Sequence, residues 1–212
     1  DYFSYRLFEV NMAQVLAIKS SILGDHSSSG LLINELLAQS GELDPHQQVV
    51  VRDLGAQPLA PLDGEILGAF SQTDGLNARQ QAAVALSAQL VDEIQKADRL
   101  IIGVPMYNFG IPTQLKSWFD YICRVGISFK YTEQGPVGLL TDKPVLLVLA
   151  TGGLHRDTAT DLALLHVKTL LNFIGLHNIH IAYAQGLGMG DAAREQGLAA
   201  ARAEAQSFLR AV

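Results

Sequence analysis

The residues best suited to chemistry lie in the segment 104–113, Val-Pro-Met-Tyr-Asn-Phe-Gly-Ile-Pro-Thr. This segment follows the apolar run 100–104, which is typical of a buried parallel strand, and precedes a helical apolar pattern at 114–121. An open α/β sheet binds its ligand at such strand ends. Two aromatic side chains flank Asn108 and offer π faces to a flat ring, while the amide suits a polar rim. The segment indicates a flavin-shaped site; the alternative is a turn whose aromatic side chains plug the end of the sheet.

A second candidate is the segment 20–30, which contains five serines, follows the first apolar strand and leads into a helix. The N-terminus of a helix offers unpaired N–H groups and a partial positive charge, and serine hydroxyls add further donors. Together they could bind a phosphate without Lys or Arg. The alternative is that one of Ser27–Ser29 simply caps the helix. The glycine patterns of dinucleotide folds and of Walker A loops are absent here, which favours a single phosphate, as in FMN.

A third candidate is the segment 150–157, Ala-Thr-Gly-Gly-Leu-His-Arg-Asp. Adjacent glycines let a backbone approach a planar ligand closely, so this loop could form the third wall of one pocket. The alternative is a flexible turn. His155 has no second histidine at ligand spacing, so we predict no metal site.

Strand and helix patterns alternate along the chain, which predicts βαβ units. The predicted fold class is α/β: a flavodoxin-like, three-layer α/β/α fold with a five-stranded parallel sheet in the order 2-1-3-4-5. Its ligand is expected beyond the carboxyl ends of strands one, three and four. The predicted strands are 15–19, 48–53, 99–104, 144–150 and 179–183; the predicted helices are 28–39, 77–98, 114–121, 160–173 and 191–211; a hairpin is predicted from 129–132 and 137–140.

Composition restricts the class of protein. The chain has 212 residues, which predicts one domain, and its net charge of −6 argues against nucleic-acid binding. The single cysteine, Cys123, excludes an internal disulfide and is expected to be a buried small hydrophobe. No apolar run approaches the roughly 18 residues of a membrane span, and no secretory signal is evident, so we expect a cytoplasmic protein. The domain is predicted to cover 12–212, with 1–11 an artificially added or mis-assigned leader before Met12.

The chain resembles the bacterial FMN-dependent NADH-azoreductases, a branch of the flavodoxin-like NAD(P)H quinone reductases. The resemblance runs from Met12 to the C-terminus. It rests on motifs at 19–23 (Lys-Ser-Ser-Ile-Leu), 105–109 (Pro-Met-Tyr-Asn-Phe), 113–116, 129–139, 152–157 and 173–175.

This resemblance implies tightly bound FMN, with NADH, or alternatively NADPH, as electron donor. One departure is Ala150-Thr151, which stands where a close relative has Ser-Arg, so the small Thr151 removes a cation beside the pocket. The resemblance implies these cofactor-binding residues: Ser21, Ser27, Ser28 and Ser29 at the phosphate; Met106, Tyr107, Asn108 and Phe109 at the ring; and Ala150, Thr151, Gly152 and Gly153 at its pyrimidine end.

The implied activity is the reduction of quinones to hydroquinones and the cleavage of aromatic azo compounds to amines, by ping-pong hydride transfer through FMN. The reactive atom is then flavin N5, and no catalytic side chain is assigned. The implied assembly is a homodimer with active sites at the interface. There Phe129 and Tyr131, with Phe173 from the partner chain, would cover the substrate slot. The alternatives are an FMN-free, redox-sensing or regulatory binding module and a flavodoxin-type electron carrier.

Overall fold

The structure is a computed structural model that describes residues 12–72 and 74–210. The prediction that 1–11 is a leader therefore lies outside the described residues. Within the described part, no helix combines the length and the apolarity that crossing a bilayer would require.

A five-stranded parallel sheet forms the centre of the molecule, as predicted. Its strands, in spatial order, are β2 (Gln48–Asp53), β1 (Gln14–Lys19), β3 (Arg99–Pro105), β6 (Val145–Ala150) and β7 (Ile179–Ala184). The predicted strand order 2-1-3-4-5 is corrected in its numbering. Two hairpin strands, β4 (Phe129–Thr132) and β5 (Gly135–Gly138), intervene in the chain and pair only with each other, so the order is β2-β1-β3-β6-β7.

Helices cover both faces of the sheet because alternate residues of each strand point to opposite sides. Leu16 and Ile18 of β1 belong to one apolar core, and Val15 and Ala17 belong to the other. The first core is completed by α3 (Ala78–Lys96), α4 (Thr113–Ile122) and α5 (Leu162–Ile174), with the short α2 (Gly64–Ala69) beside them; the second is completed by α1 (Ser28–Leu43) and α6 (Asp191–Arg210).

The hairpin begins its second strand two residues earlier than predicted, at Gly135 rather than at 137. The reason is a tight turn, in which the backbone N–H of Gln134 donates to the Thr132 hydroxyl, 3.2 Å away. The end of β5 packs directly on the end of α5, where the backbone N–H of Leu140 donates to the Ile174 carbonyl at 3.1 Å.

Candidate functional site

The three loops predicted to form a site do meet in one cavity at the carboxyl edge of the sheet. This cavity has a volume of about 240 Å³ and is walled by the loops after β1, β3 and β6. Two neighbouring cavities, of about 290 and 320 Å³, are lined by only one of these three loops each. Nine of the predicted cofactor-binding residues line the 240 Å³ cavity: Ser21, Ser27, Ser28, Ser29, Met106, Tyr107, Ala150, Thr151 and Gly152.

The serines form one end of the cavity at the start of α1. The Ser27 hydroxyl caps the helix by accepting from the backbone N–H of Gly30 at 2.9 Å. It also lies 3.2 Å from the Ser29 hydroxyl. The backbone N–H groups of Ser28 and Ser29 belong to the first helical turn, so they have no carbonyl partner inside the helix. Capping and anion binding are therefore compatible here, because the cap uses only the Ser27 side chain.

Tyr107 connects the loop after β3 to the loop after β1. Its hydroxyl lies 2.9 Å from the Ser21 hydroxyl and accepts from the backbone N–H of Ile22 at 3.3 Å. The Ser21 hydroxyl in turn accepts from the backbone N–H of Leu23 at 3.2 Å. These contacts fix the distance between the serine end and the aromatic wall of the cavity.

Asn108 and Phe109 lie outside the cavity lining, on its exposed rim. Both have left-handed backbones, with φ of 50° and 67°, which non-glycine residues rarely adopt. The turn is closed by two backbone hydrogen bonds between Tyr107 and Gly110, each 3.0 Å long. The Phe109 ring packs edge-on against His155, with centroids 5.7 Å apart, and so joins the loop after β3 to the loop after β6. Strain of this kind is concentrated at functional sites.

The third wall is a loop held by hydrogen bonds to its neighbour. Thr151 is buried, and its hydroxyl donates to the Gly153 carbonyl at 2.9 Å. The carbonyls of Thr151, Gly152 and Gly153 each accept a backbone N–H from the loop after β7, at 2.9–3.1 Å. Gly153 is thus part of this wall, although it does not line the cavity.

Sequence reasoning missed the contribution of the loop after β7 and the start of α6. Leu187, Gly188 and Arg194 line the cavity, as do Leu23, His26 and Pro105. The strand order offered one signal, since a strand beside β6 must end beside the loop after β6. No carboxylate lines the cavity among the described residues, and Arg194 is the one Lys or Arg among its lining residues.

The predicted substrate residues form a separate aromatic cluster on the hairpin and α5. Phe129 is buried and packs against Phe173, with ring centroids 4.2 Å apart, while Tyr131 is 70% exposed. Phe129 and Tyr131 meet edge-on at 5.5 Å. None of the three lines the 240 Å³ cavity of this chain. Their predicted position over a substrate slot involves a second chain and stays a prediction.

A polar cluster behind the loop after β6 lies beside the neighbouring 320 Å³ cavity. The Tyr183 hydroxyl donates to the Asp161 carboxylate at 2.9 Å, and Arg156 pairs with Glu204. Burial, together with that carboxylate, raises the pKa of Tyr183 well above its usual range. Because its hydroxyl is bonded to Asp161 and it does not line the 240 Å³ cavity, Tyr183 supports the loop from behind.

The comparisons with known proteins agree with this geometry. The sequence profile of the flavodoxin-like fold family matches residues 13–209. An FMN-dependent NADH:quinone oxidoreductase of Tolumonas auensis is 51% identical over 200 residues, which cover 94% of this chain and all of the relative. A protein of the same description from Photobacterium profundum is 48% identical over 191 residues, covering 90% of this chain and 96% of the relative.

Solved structures give the same result. An azoreductase of Bacillus anthracis superposes with a TM-score of 0.85 at 27% identity, covering 95% of this chain and all of that chain. An FMN-dependent NADH-azoreductase of Bacillus anthracis, in complex with FMN, gives 0.84 at 25% identity, covering 94% of this chain and 98% of that chain. The chain therefore belongs to the flavodoxin-like fold family, within which it is similar to FMN-dependent NADH:quinone oxidoreductases over nearly its whole length.

Proposed function

We propose that the chain is an FMN-dependent oxidoreductase that uses NADH to reduce quinones to hydroquinones and to cleave aromatic azo compounds to amines. The observation that carries the proposal is the cavity itself. One continuous space has a helix N-terminus with serine hydroxyls at one end and an aromatic wall and a glycine-containing wall at the other. The relatives described as FMN-dependent NADH:quinone oxidoreductases support the same activity.

The donor groups of the cavity fit FMN. A phosphate monoester needs N–H and O–H donors, which the first turn of α1 and its serines offer. A flat ring needs apolar faces, which Met106 and Tyr107 offer beside Pro105. In the loop after β6, a Cβ added to Gly152 would meet no atom within 4 Å. The space beside the Gly152 backbone is therefore free for a ligand. No carboxylate among the described residues lines the cavity to repel an anionic cofactor.

We infer the following roles for the chain's own residues. Ser21 and Ser27–Ser29 hold the phosphate. Met106 and Tyr107 pack against the ring, which Asn108 and Phe109 would meet from the rim of the cavity. Ala150–Gly152 line its pyrimidine edge, with Gly153 supporting that wall. When bound, FMN would supply the redox chemistry, namely hydride transfer from NADH to the acceptor, with one NADH per quinone and two per azo bond. The residues bind, orient and exclude water, and we assign no catalytic side chain.

NADH and the acceptor would use the same slot in turn, which gives ping-pong kinetics. In initial-rate experiments with both substrates varied, parallel reciprocal lines are expected. Intersecting lines would exclude the shared slot.

We propose that the slot is completed in a homodimer. Large apolar side chains are exposed on the loop after β6, on α5 and on the hairpin, including Leu154 at 60%, Leu165 at 62% and Tyr131 at 70%. A second subunit would cover such residues, and its Phe173 would reach the slot beside Phe129 and Tyr131. Size-exclusion chromatography with light scattering should give a molar mass twice that of one chain. Leu165→Glu should lower this molar mass toward that of a single chain. That residues 12–212 form one domain, and that the protein is cytoplasmic, also stay predictions.

The direct test is an anaerobic visible spectrum of the protein loaded with FMN, titrated first with NADH and then with a benzoquinone or an azo dye. Loss of the flavin absorbance with NADH and full recovery with the acceptor are expected. A protein that takes up no FMN would instead be a flavin-free binding module. A protein that passes on electrons only singly would be a carrier of the flavodoxin type.

A further inference from the structure

Arg194 occupies an unusual position for an arginine. It lies in the first turn of α6, is half-buried, and lines the cavity that contains Ser27–Ser29, Tyr107 and Thr151. The ion pairs among the described side chains use other arginines, and no described side chain forms a hydrogen bond with its guanidinium. Its guanidinium thus has no counter-charge among the described side chains and is available to an anionic ligand in the cavity.

The packing of α1 against α6 indicates which end of the cavity Arg194 faces. The two helices meet along a seam in which Glu35 pairs with Arg202 at 2.8 Å and Gln39 bonds to Gln206 at 2.9 Å. Both pairs are 167 residues apart in the chain. Ser27 and Arg194 are also 167 residues apart in the chain. They lie about two helical turns before Glu35 and Arg202, toward the N-termini of the two helices. The register of the seam therefore aligns Arg194 with the cap of α1.

We propose that Arg194 binds the phosphate of the flavin cofactor, an inference that rests on the proposed function. A phosphate monoester carries about −1.5 to −2 charges near neutral pH. The N-terminus of α1 offers only about half a positive charge, and the serines are neutral. A guanidinium at the same end would supply the missing charge and a forked pair of donors. Thr151 is buried, lines the same cavity and carries no charge. Among the described residues, Arg194 is the one Lys or Arg that lines the cavity and can bring a positive charge to the phosphate.

The test compares two ligands that differ only in the phosphate. The full chain, freed of flavin, is titrated with FMN and with riboflavin, and quenching of flavin fluorescence gives each Kd. The variants are Arg194→Ala, Arg194→Lys and, as a matched control, Lys96→Ala. Lys96 is the last residue of α3, where it pairs with Asp92, and it does not line the cavity. Lys96→Ala therefore removes one positive charge, as Arg194→Ala does, without changing the cavity.

Arg194→Ala should weaken FMN binding about 10- to 100-fold and leave riboflavin binding within about twofold. Arg194→Lys should recover part of the loss, because lysine keeps the charge and lacks the fork. Lys96→Ala should match the unmodified chain for both ligands. Retained riboflavin binding also shows that the variant is folded.

Two results would overturn the inference while leaving the proposed function intact. Equal weakening of FMN and riboflavin would place Arg194 at the ring rather than at the phosphate. Unchanged FMN binding in Arg194→Ala would give the residue no part in cofactor binding. Failure of the proposed function looks different, because the unmodified chain would then bind neither flavin.

Discussion

The Tyr107 hydroxyl lies 2.9 Å from the Ser21 hydroxyl, which joins loops that are 86 residues apart in sequence. It is the side-chain link between the end of the cavity that suits a phosphate and the wall that suits a ring. Because the backbone N–H of Ile22 also donates to Tyr107, the phenol anchors the loop after β1 by both its side chain and its backbone. The Tyr107 hydroxyl thus joins the two halves of the proposed cofactor site.

A double-mutant cycle tests this link. Tyr107→Phe should weaken FMN binding about fivefold, since a net hydrogen bond contributes about 1 kcal/mol, and Ser21→Ala should weaken it at least as much, because Ser21 is also a proposed phosphate donor. The double variant should be little weaker than Ser21→Ala, because Tyr107→Phe removes a contact that Ser21→Ala has already removed. Fluorescence titration gives the three Kd values. If the two effects multiply, the hydroxyls act on the cofactor independently and the proposed link has no function.

Ser27 should have two separable roles, which a second helix cap can distinguish. Ser27→Ala removes the cap of α1 and should lower the free energy of unfolding by about 1 kcal/mol. Asn77→Ala removes the equivalent cap of α3, where Asn77 accepts from the backbone N–H of Gln80 at 3.0 Å. Both variants should lose similar stability in urea titrations. Only Ser27→Ala should also weaken FMN binding. If Asn77→Ala weakened FMN binding equally, Ser27 would act only by capping its helix.

The sequence predicted the sheet and the three loops because their signals are local. Buried parallel strands are short apolar runs, such as 145–150, and their loops must meet where neighbouring strands end. The start of β5 was predicted at 137 rather than at Gly135, since Gly-Pro-Val-Gly has little strand propensity and its pairing is set by the partner strand.

Arg194 could not be found in this way. Its position depends on the register between α1 and α6, which packing of the complete fold determines. Nothing near residue 194 in the sequence distinguishes it from an exposed helical arginine. The inference that it faces the same end of the cavity as Ser27 depends on the register of the seam, on which Glu35 and Arg202 pair.

Gly138 is required where the hairpin meets α5. An added Cβ would lie 2.2 Å from the backbone nitrogen of Gly175 and 2.4 Å from its Cα, and neither atom can move away cheaply. Gly138→Ala should therefore lower the free energy of unfolding by about 1–3 kcal/mol. Gly64→Ala is the control, since an added Cβ there meets nothing within 4 Å and its effect should stay within about 0.5 kcal/mol. Urea titration measures both, and equal effects would contradict the close approach.

Cys123 should be unreactive in the folded protein. It is half-buried at the end of α4, and burial, reinforced by the nearby Asp120 carboxylate, raises the pKa of its thiol to about 12. Only the thiolate attacks disulfide reagents, so labelling at neutral pH should be at least about 100-fold slower in the folded chain than in urea. Absorbance of the released reagent follows the reaction. Labelling of the folded chain at the denatured rate would mean that the thiol is exposed.

The seam between α1 and α6 should make stability depend on pH through Glu35. Two hydrogen bonds from the Arg202 guanidinium, at 2.8 and 2.9 Å, hold the pKa of this carboxyl below its usual value of 4.5. A lowered pKa stabilises the folded state above the unfolded value, and this contribution is lost as the pH falls through the folded value. Both side chains are partly exposed, so the effect should be below about 1 kcal/mol.

Urea titrations of the flavin-free chain and of Glu35→Gln, at about pH 7 and about pH 3.5, measure this contribution. Glu35→Gln should be the less stable at the higher pH, and the difference should shrink at the lower pH as the carboxyl of the unmodified chain takes up a proton. Asp92→Asn is the control, because its exposed pair with Lys96 should contribute little at either pH. A difference that persisted unchanged at the lower pH would arise from packing of the amide, and the seam would then be held by shape rather than by charge.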